Sequence, residues 1–207
     1  ANRYWKKLNH IGQEIIACGG EGNSWMLPDL VVLCEVENDT VMRDLTKRSL
    51  LRQARYEYVM TNSPDVRGID VALLYSPFTF RLLNWHAIRV TPIKGMRPTR
   101  DILYAAGQII TGDTLHVFVV HAPSRSGGEI ATRPNRMAVV KRLQEAVDSV
   151  KSNSTSARII IAGDFNDYTQ DVSIQYLISR DLADVSASAV GTHGAKGTYK
   201  YQGEWGS

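Results

Sequence analysis

The sequence is short of cysteine: Cys18 and Cys34 are its only two, one beside Gly19-Gly20 and one at the end of an apolar run. No metal-ligand spacing arises from them, and two separate thiols are expected rather than a disulfide. Long apolar runs are missing as well. No stretch can span a bilayer, and no charged-then-apolar leader opens the chain, so a transmembrane segment is excluded. The first residue is Ala1, so a leader removed ahead of it would make the protein secreted or periplasmic; the compartment is otherwise open. Dense basic clustering is absent too. A net charge of +3 is far from that of a dedicated nucleic-acid binder, yet it permits a phosphate-bearing substrate. No repeat or low-complexity block interrupts the chain, and no specific protein partner is evident.

What is present suffices for one core. With 207 residues, 43% of them hydrophobic, a single domain over residues 1–207 is the economical reading. Trp5, Leu8, Ile11, Ile15 and Ile16 recur at helical spacing up to Gly19-Gly20, which predicts an opening amphipathic helix. A polar loop over 20–24, an apolar strand at Leu30–Leu33 and a surface helix from Asn38-Asp39 to about Gln53 follow. The reading then turns to strands at Tyr56–Met60, Val71–Tyr75, Phe80–Val90, Leu103–Ile110 and Leu115–His121, with Gly112-Asp113 as a hairpin link. A helix over Pro134–Val150, a strand from Arg158 and a helix over Val172–Ser179 complete the pattern. This order fits two packed mixed sheets with helices outside, an α/β fold.

The strand from Arg158 is the most informative. Its run Ile159–Ala162 lacks polar alternation and reads as buried on both faces, and it leads directly into Gly163-Asp164-Phe165-Asn166. On a continuing strand Asp164 and Asn166 share a face while Phe165 points inward, which aims a carboxylate and a carboxamide at one spot. Gly163 would allow a turn or a close approach to a ligand. Open α/β sheets build active sites at such strand ends.

Three further strand ends carry polar groups: Glu35 in Cys34-Glu35-Val36, Asp70 in Arg67-Gly68-Ile69-Asp70, and His121 in Val120-His121-Ala122-Pro123-Ser124. Taken with Gly163-Asp164-Phe165-Asn166, they resemble the endonuclease/exonuclease/phosphatase superfamily, the deoxyribonuclease-like metal-dependent phosphoesterases. The resemblance covers nearly the whole chain. It implies a four-layered sandwich of two mixed β-sheets flanked by helices, with the site at one end.

Carried over residue by residue, the resemblance implies that Glu35 ligates a catalytic Mg²⁺ or Mn²⁺; one carboxylate with several waters and phosphate oxygens suits Mg²⁺. Asp164 would orient or deprotonate the attacking water, with Asn166 holding it or donating to the phosphate. His121 would hydrogen-bond a phosphate oxygen, backed by Asp70. Arg100 would grip the substrate phosphate through its fork, with Arg97 as a competitor. Arg125, Arg133 and Arg136 flank the His121 loop and read as a solvated basic loop. The implied activity is phosphoester hydrolysis by water attack on phosphorus, of nuclease or phosphatase type. The substrate is a phosphate ester: nucleic acid, phospholipid headgroup or small phosphodiester. His121 favours the deoxyribonuclease, sphingomyelinase and phosphatase branches.

Two family features are missing: an Asn on a first strand before the opening helix, and an Asp-His pair on a last strand. His193, in a Gly-rich setting, is no substitute for the latter. The expectation is therefore a domain lacking terminal strands at both ends, weakly active or inactive in that form. The alternative is a catalytically degenerate binding module on the same fold.

Overall fold

The computed structural model describes residues 2–21, 24–154, 156–187, 199–201 and 204–206; His193 lies outside the described residues. Helix α1 spans Asn2–Ala17, and a short hairpin of β1 (Gly20–Glu21) and β2 (Ser24–Trp25) replaces the expected polar loop. Strand β3 (Leu30–Val36) is followed by α2 (Asp39–Arg43), a π-helical turn (Asp44–Arg48) and a 3₁₀ turn (Leu50–Ala54). Strands β4 (Glu57–Met60), β5 (Asp70–Tyr75), β6 (Phe80–Ile88), β7 (Ile102–Ile109) and β8 (Thr114–His121) come next. Helix α3 (Glu129–Asn153), β9 (Arg158–Asp164), α4 (Val172–Ile178) and a hairpin of β10 (Tyr199–Tyr201) and β11 (Glu204–Gly206) complete the described elements.

Besides the two hairpins, two larger sheets form among the described residues, in the strand orders β3-β5-β4 and β6-β7-β8-β9. The first is antiparallel and the second mixed, because β8 and β9 run parallel through the α3 crossover. Side-chain alternation produces the layering. On β5, Val71 and Leu73 face the inter-sheet core with Leu103, Val117 and Val119, whereas Ala72 and Leu74 face the outer core with α1. On β8, Phe118 and Val120 face α3 through Val139, Val140, Leu143 and Val147. Each Val, Leu or Phe so enclosed contributes roughly 1.5–3 kcal/mol, so the four layers hold one another by apolar burial.

Several expectations change. The helix expected from Asn38 to Gln53 breaks at Ser49, which is extended and accepts the Leu51 backbone N–H. It is no surface helix, since Met42, Leu45 and Leu51 are buried against α1. Helix α3 begins at Glu129, so Pro134 sits inside it rather than at its start. Strand β9 is not buried on both faces; among the described residues it is the last strand of its sheet, and Ile160 is 47% exposed. Gly163 serves a close approach, to protein rather than to ligand. Its φ is 140°, and an added Cβ would stand 1.9 Å from the Val120 carbonyl oxygen. No described helix is long and apolar enough to cross a membrane.

Candidate active site

Topology alone gathers the polar strand ends. Because β8 and β9 are parallel, His121 and Asp164 lie side by side in register at their carboxyl ends. Strand β7 is antiparallel to β8, so the residues before it, including Arg100, reach the same end. On the facing sheet β3 ends at Val36 opposite Asp70, the first residue of β5. Cys34 ties the sheets together here, its thiol donating to the Val120 carbonyl at 3.7 Å. Burial pushes that thiol up to about 11, so it stays protonated and packs as an apolar group.

Glu35 protrudes from a register shift between Leu33 and Val36, with φ at 58° and its side chain 63% exposed. Its carboxylate stands 3.5 Å from the Arg67 guanidinium, and its charge helps to raise the Asp164 pKa. Burial is the larger cause of that rise; the Asn166 backbone N–H and Arg100 oppose it. The Asp164 side chain divides its oxygens. Oδ1 accepts the Asn166 backbone N–H at 2.9 Å, while Oδ2 faces His121 Nε2 at 3.8 Å.

Asn166 does not continue the strand. It takes a left-handed φ of 53° in a turn closed by Asp164, and its Nδ2 donates to the Ala122 carbonyl at 3.0 Å. Asp164 and Asn166 are thus linked through a turn, carboxylate to backbone N–H, rather than through strand alternation. Phe165 does pack into the core beneath α3.

His121 is 4% exposed, and its Nδ1 is buried without a hydrogen-bond partner among the described residues. Burial, followed by the positive charges of Arg100 and Arg67, holds its pKa down to about 4, against the pull of Asp65. The imidazole is therefore neutral near pH 7. A proton on Nδ1 would be a buried donor without an acceptor, so the proton belongs on Nε2, the nitrogen that faces Asp164.

Two of the expected partnerships are not made. Asp70 does not back His121; its Oδ1 accepts from Thr61 Oγ1 at 2.7 Å and from the Ser63 backbone N–H at 2.8 Å, closing the loop between β4 and β5. Arg100 is not a free fork. It is buried, and it donates to the His121 carbonyl (3.2 Å), the Ala122 carbonyl (2.6 Å) and Asp65 Oδ2 (3.0 Å). The nearby loop 89–101 leaves Arg97 exposed. Sequence reasoning passed over Asp65. Its position two residues before Arg67, whose backbone N–H it accepts at 2.9 Å, is an Asx-turn signal that marks a structured loop.

The basic residues of the His121 loop are not solvated as a group. Arg136 is fully buried, with Nε 2.7 Å from Asp167, a carboxylate only 1% exposed. Arg125 reaches Asp171 at 3.0 Å and Asp167 at 3.8 Å, and Arg133 holds both oxygens of Glu129. The carboxylates of Glu129, Asp167 and Asp171 lie within 4.8 Å of one another, a spacing a cation could bridge. Three arginines already balance them, so this cluster does not suit a metal. Glu35 offers a single, largely exposed hard oxygen donor faced by one half-exposed arginine, the kind of ligand taken by an ion that keeps most of its waters.

A family model described as "Endonuclease/Exonuclease/phosphatase family" matches residues 1–206. A search of curated proteins finds no significant match. Among solved structures, the human Nocturnin catalytic domain with bound sulfate superposes with a TM-score of 0.65 at 21% identity, over 86% of this chain and 62% of that one. A Bacteroides thetaiotaomicron mannosyl-6-phosphatase gives 0.63 at 16% identity, over 86% and 62%. A humanised D. rerio TDP2 gives 0.59 at 19% identity, over 86% and 65%. The chain thus spans under two thirds of the length of each of these relatives.

Proposed function

Because this chain belongs to the endonuclease/exonuclease/phosphatase family, we propose that it is the core of a Mg²⁺- or Mn²⁺-dependent phosphoester hydrolase that acts by attack of water on phosphorus. One observation carries the reading: His121 and Asp164 stand in register with Nε2 and Oδ2 3.8 Å apart, at the end of the sandwich where Glu35 projects. Solved relatives that include a mannosyl-6-phosphatase and a sulfate-bound Nocturnin domain support it.

The residues divide the work by chemistry. Glu35 would hold the divalent ion, which when bound supplies Lewis-acid stabilisation of a phosphoryl oxygen. Asp164 takes the proton of the attacking water. Its raised pKa brings its basicity nearer to neutrality, and Asn166 fixes Oδ1 so that Oδ2 points at the reaction. Neutral His121 donates from Nε2 to a phosphate oxygen, where charge builds as the pentavalent state forms. Arg100 acts behind these groups as a positioning residue, fixing the His121 and Ala122 carbonyls and Asp65.

The substrate class is a phosphate ester, from nucleic acid, a phospholipid headgroup or a small phosphodiester. Hydrolysis of duplex DNA, RNA, phosphatidylinositol phosphates, sphingomyelin and bis-p-nitrophenyl phosphate, with Mg²⁺ and with EDTA, tests this. Turnover of at least one substrate should require the metal and fall about 10²- to 10⁴-fold in Asp164→Asn, the range typical of losing a general base. Metal-independent turnover, or turnover that Asp164→Asn leaves intact, would defeat the assignment.

A further inference from the structure

With Arg100 engaged by protein acceptors, the site needs another cation for an anionic phosphate, and the described arginines differ sharply in what they have to offer. Arg100 spends its donors on two carbonyls and Asp65, Arg125 on Asp171, Arg133 on Glu129, and Arg136 on Thr132 and the Glu129 carbonyl. Arg67 differs. Its guanidinium is half exposed, stands 3.5 Å from Glu35 and 4.0 Å from Asp65, and makes no directed hydrogen bond among the described residues. Its charge nevertheless reaches the centre, since it helps to hold the His121 imidazole neutral.

The loop that carries it is firmly built. Asp65 accepts the Arg67 backbone N–H, Asp65 is itself held by Arg100, and the Gly68 N–H donates to the Asp65 carbonyl at 3.0 Å. A fixed backbone thus presents, beside Glu35, a side chain with donors that no described residue takes up. We propose that Arg67 is the residue that grips the substrate phosphate, and that without substrate it rests against Glu35 as a counter-charge. A guanidinium suits this task because its planar fork can engage two phosphate oxygens at once, whereas an ammonium offers a point charge.

The inference rests on the hydrolase reading, and the test separates the two. Inorganic phosphate is titrated calorimetrically into the chain with saturating Mg²⁺, in the wild type, Arg67→Ala and Arg67→Lys, and Mg²⁺ is titrated separately into each. Arg67→Ala should weaken phosphate binding at least about tenfold, the scale of a lost charge-assisted pair. Arg67→Lys should fall between, and Mg²⁺ affinity should hold or tighten in Arg67→Ala because a competing cation has left Glu35. Phosphate affinity within twofold of the wild type in Arg67→Ala overturns the role of Arg67 while the hydrolase reading stands. Loss of Mg²⁺ affinity in Arg67→Ala also overturns it, since Arg67 would then be shaping the metal site. A wild type that binds neither phosphate nor Mg²⁺ overturns both. Because the side chain is half exposed, the variants should fold, and unchanged thermal melting confirms that the titrations compare like with like.

Discussion

Replacing Arg136 by methionine removes the guanidinium from the interior while keeping a long unbranched stem, so the result reports charge rather than a cavity. In the native protein the guanidinium has Nε 2.7 Å from Asp167, Nη1 donating to Thr132 Oγ1 at 2.7 Å and Nη2 donating to the Glu129 carbonyl at 3.1 Å. Both groups are shut off from bulk solvent, their side chains being 0% and 1% exposed. Breaking a buried pair on one side costs about 3–5 kcal/mol, mostly from the charge left behind. Here Arg125 at 3.8 Å and the Ser173 hydroxyl at 2.5 Å remain to Asp167, which puts the expected loss near the low end, about 3 kcal/mol. For a chain of this size that is a fall in Tm of about 6–12 °C. Urea denaturation of Arg136→Met, Asp167→Leu and the double variant forms a cycle. The double variant should recover most of the single losses, because two apolar groups leave no orphaned charge. A single-variant loss below about 0.5 kcal/mol, or strict additivity in the double, would show that the pair is not enclosed as described. Since Asp167 follows Asn166 directly, the same variant should also weaken phosphate binding at the site.

Gly163→Ala should destabilise the protein by about 2–5 kcal/mol, the sum of a forbidden φ and a backbone clash with Val120; equal urea midpoints would refute that contact. Because the His121 pKa falls from 6.5 unfolded to about 4 folded, the unfolded chain binds the extra proton between those values. Stability from this group is complete above about pH 6.5 and declines by about 3 kcal/mol as pH falls to 4. His121→Gln, melted in EDTA across that window, should lose this slope; an unchanged wild-type-minus-variant difference would show that the imidazole is not buried neutral. Arg100→Met should cost about 3–5 kcal/mol by stranding Asp65, with poor rescue by Arg100→Lys. Stability equal to wild type, accompanied by a raised KM alone, would return Arg100 to the substrate.

The layering was legible as an element order only: β5 is apolar at every position from Val71 to Leu74, so packing rather than alternation in the string decides that Val71 and Leu73 face inward and Ala72 and Leu74 outward. The convergence of the polar strand ends was legible from the apolar runs themselves. Glu35, His121 and Asp164 each terminate an apolar run, and strand direction does the rest. Side-chain partnerships were not legible, because they depend on loops. Asp70 and Asp65 lie five residues apart in one Pro- and Gly-containing stretch, and only the folded turn decides which of them meets Arg100. Arg136 looked like part of a solvated basic loop because nothing local to α3 reveals that Asp167, 31 positions along, will be enclosed with it. The strand geometry expected for Asn166 was not met, since a left-handed turn, which the string does not announce, takes its side chain to the Ala122 carbonyl.

Glu35 adopts a backbone conformation that glycine tolerates at no steric cost and a glutamate resists by roughly 1–3 kcal/mol. A polypeptide optimised for foldedness alone would do better with glycine at that bulge. Glu35→Gly should therefore yield a protein with a higher melting temperature and a poorer hold on divalent ions, two properties moving in opposite directions from one substitution. Thermostabilising such a scaffold is safest at positions remote from this residue, because here robustness and chemistry draw on the same few degrees of freedom.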